Sequence, residues 1–524
     1  MDLGRFLPTW KSILLAVFAA ILLVLAFPDF ELSLLAAVAL IPLFWAVERE
    51  KASPAAAFIL GWLFGIVFFF GSCWWLTFAP ITYAGFPPLL AYSLLFLVTV
   101  LVGLFPAVFA LALSVCLRRF GEYGFLAAPF IWVTTEFARY WITGNNWNAI
   151  GYSQAFTGNI GLASVGGIYL VGFKLVLLNA LLAAMTVPVT LRIHKRLSVP
   201  HRSIVIALVL FMLLWPSLLS TPPRSSIDPM SADAAVIAVQ PNVPMSGLDN
   251  FKWAKLRERH VQLAESALGR IGEQRAANPE YPVTVIFPES PMNFQYDEDR
   301  EFRAFVRDFA SRNNVSVLFN AAEPDRTNGK YFNSAVLVDA EGRKTAQYDK
   351  IYLMPFGEAV PAPLQNIVPA LVGSFSYGSE YDLLPLGDAK AGVMICFESH
   401  FGDLSREYVR QGADVIIELT NDGYLGQTPV LRQHLANAVF RAVETGRPVL
   451  RVTNVGITAY VTESGEVIDP AGTYMEDTRI WPVMRSDGSQ TFYVRYGDWF
   501  AWLCSLVTIG LLVYGVFRRR QHAV

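Results

Sequence analysis

Residues 391–399 read AGVMICFES. Five small or apolar residues end abruptly in a cysteine, and a carboxylate follows two places later. A short run with no polar alternation fits a strand covered on both faces. The same pattern recurs in AAVIAVQ at 234–240, VTVIF at 283–287, VSVLFN at 315–320, VIIEL at 415–419 and PVLRVT at 448–453. Helical stretches at 252–269, 298–312, 402–411 and 429–446 lie between them. Two further stretches alternate and turn as hairpins: 334–349 around Glu341-Gly342, and 457–468 around Ser464-Gly465. Strands and helices in this order predict a layered α/β domain. Several strands end in a polar residue. Glu289 follows 283–287 through Pro288, Asn421 and Asp422 follow 415–419, and Lys350 ends the second hairpin strand. Ligands of α/β folds bind beyond strand carboxyl ends, so Glu289, Lys350 and Cys396 are expected at one rim.

This domain is only part of the chain. Of 524 residues, 54% are apolar and 16% charged, against roughly 45–50% and 25% in soluble domains. Too little polar surface exists to cover three soluble domains, and disorder or a disulfide-rich secreted scaffold is excluded. Charge separates the parts. Residues 1–220 and 498–524 hold 15 Lys+Arg against 8 Asp+Glu, whereas 221–497 hold 26 against 35. The expected organisation is a membrane domain at 1–220, a globular domain at 221–497, and a final span with a basic tail at 498–524. The acidic balance of the globular domain argues against nucleic acid as a partner.

Apolar runs fall at about 10–27, 31–47, 55–78, 87–117, 125–143, 160–190, 203–220 and 498–517. Several reach the roughly 20 residues needed to cross hydrocarbon. The first two are short and share a Pro28-Asp29 turn, so one is a candidate re-entrant segment. The first run lacks a small-residue cleavage site and reads as an anchor. With eight spans, the loops on one side carry Arg5, Lys11, Arg49, Lys51, Arg118, Arg119, Arg192, Lys195, Arg196, Arg202 and Arg518 to Arg520. The short loops on the other side carry no basic residue. This bias predicts cytoplasmic termini. Seven spans before the globular domain then place that domain outside, in a periplasm or its equivalent. Arg139 and Lys174 lie inside apolar runs, where pairing with Glu136 or with lipid head groups is expected.

Of the four cysteines, Cys396 alone lies in the globular domain, so it has no disulfide partner there. A lone thiol in an oxidising compartment is either buried or used. A cysteine, a glutamate and a lysine at one rim support acyl chemistry. A thiolate attacks a carbonyl, a carboxylate takes the proton, and an ammonium steadies the oxyanion. His260, His400 and His434 show no metal-ligand spacing, so no metal or other cofactor is expected.

FPES at 287–290, YDKIYLMPFGE at 348–358 and ICFES at 395–399 resemble the three motifs of the carbon–nitrogen hydrolase (nitrilase) superfamily. TNDGYLG at 420–426 and the text around QHLANAVFRAVETGRP at 433–448 fit too. With eight apolar runs added, the whole chain resembles the apolipoprotein N-acyltransferase family of bacterial inner-membrane enzymes. The resemblance implies a membrane α-helical bundle joined to an exported nitrilase-like domain with α-β-β-α layering. It implies Glu289 as general base, Lys350 as oxyanion partner and Cys396 as nucleophile, with support from Glu358, Glu398, Phe397 and Trp253. Phe397 stands where the family often has tyrosine, so an aromatic packing role is implied. The implied reaction moves an acyl chain from a phospholipid to the α-amine of a lipoprotein's diacylglyceryl-cysteine, through a thioacyl-cysteine. Partners are then phospholipid, apolipoprotein and the bilayer, with the chain acting as a monomer. The apolar stretch 360–377 is a candidate lid or membrane-dipping arm. A membrane-tethered amidase using the same three residues is the alternative, and it leaves the spans without a task.

Overall fold

The computed structural model describes residues 6–186, 232–248, 250–289, 294–360 and 375–517. The run at 203–220, most of 360–377 and the basic residues at 192–202 and 518–520 lie outside them. Two compact units divide the chain: Met1–Thr221 with Tyr496–Val524, and Pro222–Arg495.

The first unit is helical. Pro54–Ser72, Pro88–Thr143 and Gly158–Thr186 are stretches long and apolar enough to cross a membrane, and Trp10–Leu25 and Trp499–Gly515 are shorter apolar helices. The run at 87–117 is one bent path, with helices at Pro88–Val102 and Leu104–Phe120. The Gly103 N–H bonds the Thr99 carbonyl at 2.8 Å, so the path continues across the joint. Pro106 supplies no N–H and its ring crowds the carbonyl four residues back, which accounts for the bend. Both halves pack against Pro54–Ser72. A Cβ on Gly65 would stand 2.8 Å from the Gly103 Cα, so this crossing needs glycine for backbone approach.

One expectation changes here. The run at 31–47 is not one spanning helix. It is a 3₁₀ turn at Ser33–Ala37 and a helix at Ile41–Arg49, and nine helical residues rise only about 14 Å. The intramembrane charges Arg139 and Glu136 act on each other, as expected, and are also tied to a loop. Arg139 donates to the carbonyls of Trp147 (2.8 Å) and Asn146 (3.2 Å), while Glu136 accepts from the Ile150 N–H at 2.8 Å. Lys174 donates to Asn159 at 2.6 Å.

The second unit holds two sheets. Its strands are β1 (Ala234–Gln240), β2 (Val283–Ile286), β3 (Ser316–Asp325), β4 (Lys330–Val338), β5 (Lys344–Asp349), β6 (Phe375–Ser376), β7 (Leu383–Leu386), β8 (Ala389–Ile395), β9 (Val415–Thr420), β10 (Val449–Thr453), β11 (Ala459–Val461), β12 (Val467–Ile468) and β13 (Asp477–Val483). One sheet runs β13-β1-β2-β3-β4-β5, with β6 beside β4; the other runs β12-β11-β10-β9-β8-β7. β1, β2 and β3 are parallel, as are β8, β9 and β10. β4 is antiparallel to both β3 and β5, so β5 ends at the same rim as β2 and β3.

The helices Asn250–Arg270 and Arg300–Asn313 cover the first sheet, and Gly402–Arg410 and Val430–Thr445 cover the second. The sheets meet at β1 with β10 and at β5 with β7, which gives the expected α-β-β-α layering. β1 and β9 are buried at every position, as strands covered on both faces must be. β13 was not apparent from sequence. It carries Pro482, which removes a ladder donor, and it is an edge strand, where proline is tolerated.

Candidate active site

The strand ends bring Glu289, Lys350 and Cys396 together. Lys350 directly follows β5 and is 1% exposed. Its Nζ lies 2.8 Å from Glu358 Oε2 and 2.9 Å from Oε1, and 4.0 Å from Glu289 Oε1. Glu358 is also held by the Met354 N–H at 2.7 Å. Glu289 accepts from the Asn421 N–H at 3.1 Å, and its charge acts on the Cys396 thiol. The amide of Asn333 links the two carboxylates, donating to Glu358 at 2.7 Å and to Glu289 at 3.2 Å.

Cys396 follows β8 with φ of +53°, a left-handed backbone that a non-glycine residue keeps only when its surroundings enforce it. Glu398 is one enforcer. Its Oε2 accepts from the Ile395 N–H at 2.8 Å, capping the turn Cys396–His400. Its Oε1 accepts from the Tyr348 hydroxyl at 2.7 Å and from the N–H groups of Ile351 (2.8 Å) and Tyr352 (3.0 Å). One buried carboxylate therefore ties the cysteine turn to the segment after Lys350. Burial lifts Glu398 to about 7, against the pull of Lys350 and these hydrogen bonds.

The electrostatics favour proton transfer during attack. Burial and the Glu289 charge push the Cys396 thiol well up, so it is protonated at rest. Burial and the Glu358 charge raise Glu289, with Lys350 opposing them. Burial alone would lower Lys350, yet Glu358 and Glu289 raise it above an ordinary lysine, and it stays an ammonium. A basic carboxylate and a fixed cation therefore both act on the thiol, an arrangement that suits nucleophilic acyl transfer.

Comparison with known proteins bears on both units. Residues 234–491 match the carbon–nitrogen hydrolase family model, and 19–181 match the apolipoprotein N-acyltransferase N-terminal domain. The apolipoprotein N-acyltransferase of Geobacter metallireducens is 31% identical over 98% of this chain and 96% of its own. The chain belongs to the apolipoprotein N-acyltransferase family. Other apolipoprotein N-acyltransferases align along nearly the same length. That of Methylococcus capsulatus is 30% identical over 98% of this chain and 97% of its own. That of Pasteurella multocida is 26% identical over 97% and 96%.

The remaining expected residues of this family member divide. Phe397 is half-buried, with its ring 4.9 Å from His400 and 5.3 Å from Phe401, so it packs the cysteine turn. Trp253 sits on the helix Asn250–Arg270, and its ring meets Phe294 at 6.2 Å. Among the described contacts, none joins Trp253 to Glu289, Lys350 or Cys396.

Sequence reading missed a buried quartet beneath Cys396. His434, on the helix Val430–Thr445, directs Nε2 to the Cys396 carbonyl at 3.1 Å and to Ser399 Oγ at 3.0 Å. Its Nδ1 lies 2.7 Å from Asp422 and its Nε2 3.2 Å from Glu418. Arg451 pairs with Glu418 at 2.5 Å and with Asp422 at 2.8 Å. Burial and Arg451 lower His434, but Asp422 and Glu418 win and carry it to about 9. Two cations and two anions then balance, and an imidazolium N–H holds the cysteine carbonyl in its unusual turn. The signal was faint. Glu418 and Arg451 lie inside the apolar runs VIIEL and PVLRVT, where an unpaired charge is too costly. Asn333 carried no signal, because an asparagine in a hairpin strand has many uses.

Proposed function

We propose that the chain transfers an acyl chain from a phospholipid to the α-amine of a lipoprotein's diacylglyceryl-cysteine, with Glu289, Lys350 and Cys396 as the reacting set. The observation that carries this is the Lys350 ammonium 4.0 Å from the Glu289 carboxylate, with both charges acting on the Cys396 thiol at the same strand-end rim. In the first half, the Cys396 sulfur bonds the ester carbonyl carbon as its proton moves to Glu289. Lys350 steadies the oxyanion. The C–O bond then breaks, and Glu289 returns the proton to the leaving alkoxide, giving a lysophospholipid. In the second half, the amine attacks the thioester, the C–S bond breaks, and Glu289 carries a proton from nitrogen to sulfur. Glu358 and Asn333 keep Lys350 and Glu289 in register, Glu398 and Phe397 brace the cysteine turn, and Trp253 belongs to a neighbouring arm. The three reacting residues come from one chain, which supports a monomer as the working unit.

The organisation follows from the same reading: membrane spans in 1–220, a catalytic domain at 221–497, and a last span with a basic tail at 498–524. Eight crossings, the second a broken segment, put the thirteen basic loop residues in the cytoplasm and the catalytic domain in the periplasm of a bacterial inner membrane. Both substrates are lipid-anchored, and drawing an acyl chain into water costs about 0.8 kcal/mol per methylene, which favours a site delivered to the bilayer. The tethered amidase gives way, because the match at 19–181 to the N-terminal domain of N-acyltransferases has no part in it.

The test is acyl transfer by the purified full chain from a defined phospholipid to a diacylglyceryl-cysteine peptide. Cys396→Ala is expected to give no N-acyl peptide. Turnover of small amides without phospholipid, together with no N-acyl peptide, would refute the proposal. A reporter fused after residue 524 tests the topology: activity restricted to the cytoplasm is expected.

A further inference from the structure

The last carbonyls of a short helical turn lack donors from within the turn. In Cys396–His400 these belong to Ser399 and His400, and both accept from Arg441 Nη1, at 3.3 and 3.0 Å. Arg441 comes from the helix Val430–Thr445, which also carries His434. It is 2% exposed, and a buried charge persists only when paired and hydrogen-bonded. Its Nη2 lies 2.6 Å from Glu444 Oε2, another buried group. The pair is neutral and has no route to water, so its placement sets the end of the cysteine turn.

The chain that follows β13 holds this pair. Residues 485–495 are bonded at intervals to the helices Gly402–Arg410 and Val430–Thr445 and to the residues just after each. Asp414 accepts from the Ser486 N–H at 2.7 Å and from its hydroxyl at 2.9 Å. Arg447 Nη2 donates to the Ser489 carbonyl at 2.9 Å, and Arg406 Nε to the Val494 carbonyl at 2.8 Å. Thr491 Oγ1 donates to the Glu444 carbonyl at 2.5 Å and accepts from the Val494 N–H at 3.0 Å. Tyr493 is buried and brings its hydroxyl to the pair itself. A Cβ placed on Gly402 would stand 2.5 Å from Tyr493 Oη, 3.2 Å from Glu444 Oε2 and 3.4 Å from Arg441 Cζ. Glycine at 402 therefore lets hydroxyl, carboxylate and guanidinium crowd against the helix that continues the cysteine turn.

We propose that 485–495 is a strap that positions the nucleophile, with Arg441 as the positioning residue through which it acts. Thr491 and Tyr493 fix Glu444, Glu444 fixes Arg441, and Arg441 fixes the two carbonyls that end the turn of Cys396. The inference rests on the acyl-transfer reading. It adds that the rate of attack depends on residues that touch neither substrate nor the reacting atoms. The φ of +53° at Cys396 gives the strap its lever. A backbone outlier relaxes when its surroundings loosen, and the thiol then moves relative to Glu289 and Lys350. A displacement of about 1 Å costs on the order of 10²-fold in rate.

The test takes two readings on the full-length protein, at a temperature where thermal unfolding shows every variant folded. One is kcat and KM for N-acylation of a diacylglyceryl-cysteine peptide. The other is the rate of Cys396 alkylation by iodoacetamide, read by peptide mass, which needs no acyl transfer. Gly402→Ala drives a methyl group against the Tyr493 hydroxyl. It is expected to lower kcat about 10²-fold with KM unchanged, and to slow alkylation. Adding Tyr493→Phe removes the oxygen that the methyl meets, and kcat should recover about tenfold. If Gly402→Ala does not fold, Thr491→Val decides: both rates should fall on the order of tenfold, and Thr491→Ser should keep them. A variant that unfolds earlier yet keeps wild-type kcat and alkylation would overturn the strap as a positioning device. So would a loss of kcat that the added Tyr493→Phe leaves unrelieved. Wild-type protein that yields no N-acyl peptide would sink the acyl-transfer reading, and alkylation alone would then decide the strap.

Discussion

His434→Gln removes one positive charge from the quartet beneath Cys396 and keeps a side chain able to donate a hydrogen bond. Glu418, Asp422 and Arg451 then carry a net charge of −1 in a site with no water contact. The folded imidazole titrates at about 9, against 6.5 for a free histidine. At about 1.36 kcal/mol per unit, this difference corresponds to roughly 3 kcal/mol of stability. Removing one partner of a buried ion pair gives a similar figure, about 3–5 kcal/mol. Because the folded value is raised, this contribution is present in full below pH 6.5 and is lost as pH rises through 9. Neighbouring groups titrate outside most of this window. Glu398 shifts between 4.5 and about 7, His400 is held far below 6.5 by burial, and the Cys396 thiol lies well above 9. Glu418 and Asp422 are lowered, chiefly by Arg451 against the burial penalty, and stay ionised throughout. At about 2–4 °C per kcal/mol for a domain of this size, the variant should unfold roughly 6–12 °C below wild type at pH 6. The two should converge by pH 9.5. The assay is thermal unfolding of the detergent-solubilised chain at half-unit pH steps. Parallel curves between pH 6.5 and 9, or equal midpoints at pH 6, would refute the charged-histidine account.

Other perturbations probe the reacting groups. Lys350→Met removes the proposed oxyanion partner and takes the ammonium away from Glu289 and Glu358; kcat for N-acylation should fall about 10²–10³-fold, and a loss under tenfold contradicts the assignment. Asn333→Asp sets a further carboxylate against Glu289. That raises the Glu289 pKa, so the acid limb of the pH–rate profile should move to higher pH, and an unmoved limb counts against Glu289 as base. Glu398→Gln turns an amide toward backbone donors that had a carboxylate, at about 1–3 kcal/mol for each donor left unmet. It should lower kcat with little change in KM, and a wild-type kcat would remove Glu398 from the positioning of Cys396.

The strands that carry the site were readable because they are short apolar runs broken by a polar residue. β1 was expected at 234–240 and spans Ala234–Gln240, and the strand before Cys396 differs only at its start, 391 against Ala389. The rim of Glu289, Lys350 and Cys396 followed from strand ends. What escaped depended on partners far along the chain. β13 pairs with β1 across more than two hundred residues, and a sequence with a proline near its end gives no sign of that register. The 31–47 run looked continuous because composition does not distinguish a 3₁₀ turn plus a short helix from one long helix. Glu418 and Arg451 give only a faint signal inside apolar runs, and their part with Asp422 and His434 in a neutral cluster appears only when two neighbouring strands and a helix converge.

The central claim is a thioester on Cys396. Intact-protein mass spectrometry after incubation with one defined phospholipid tests it, with Cys396→Ala alongside. The account predicts a single acyl-sized adduct, absent from the variant and discharged when a diacylglyceryl-cysteine peptide is added. An adduct that persists in Cys396→Ala, or active protein that transfers acyl chains without ever carrying one, would contradict it.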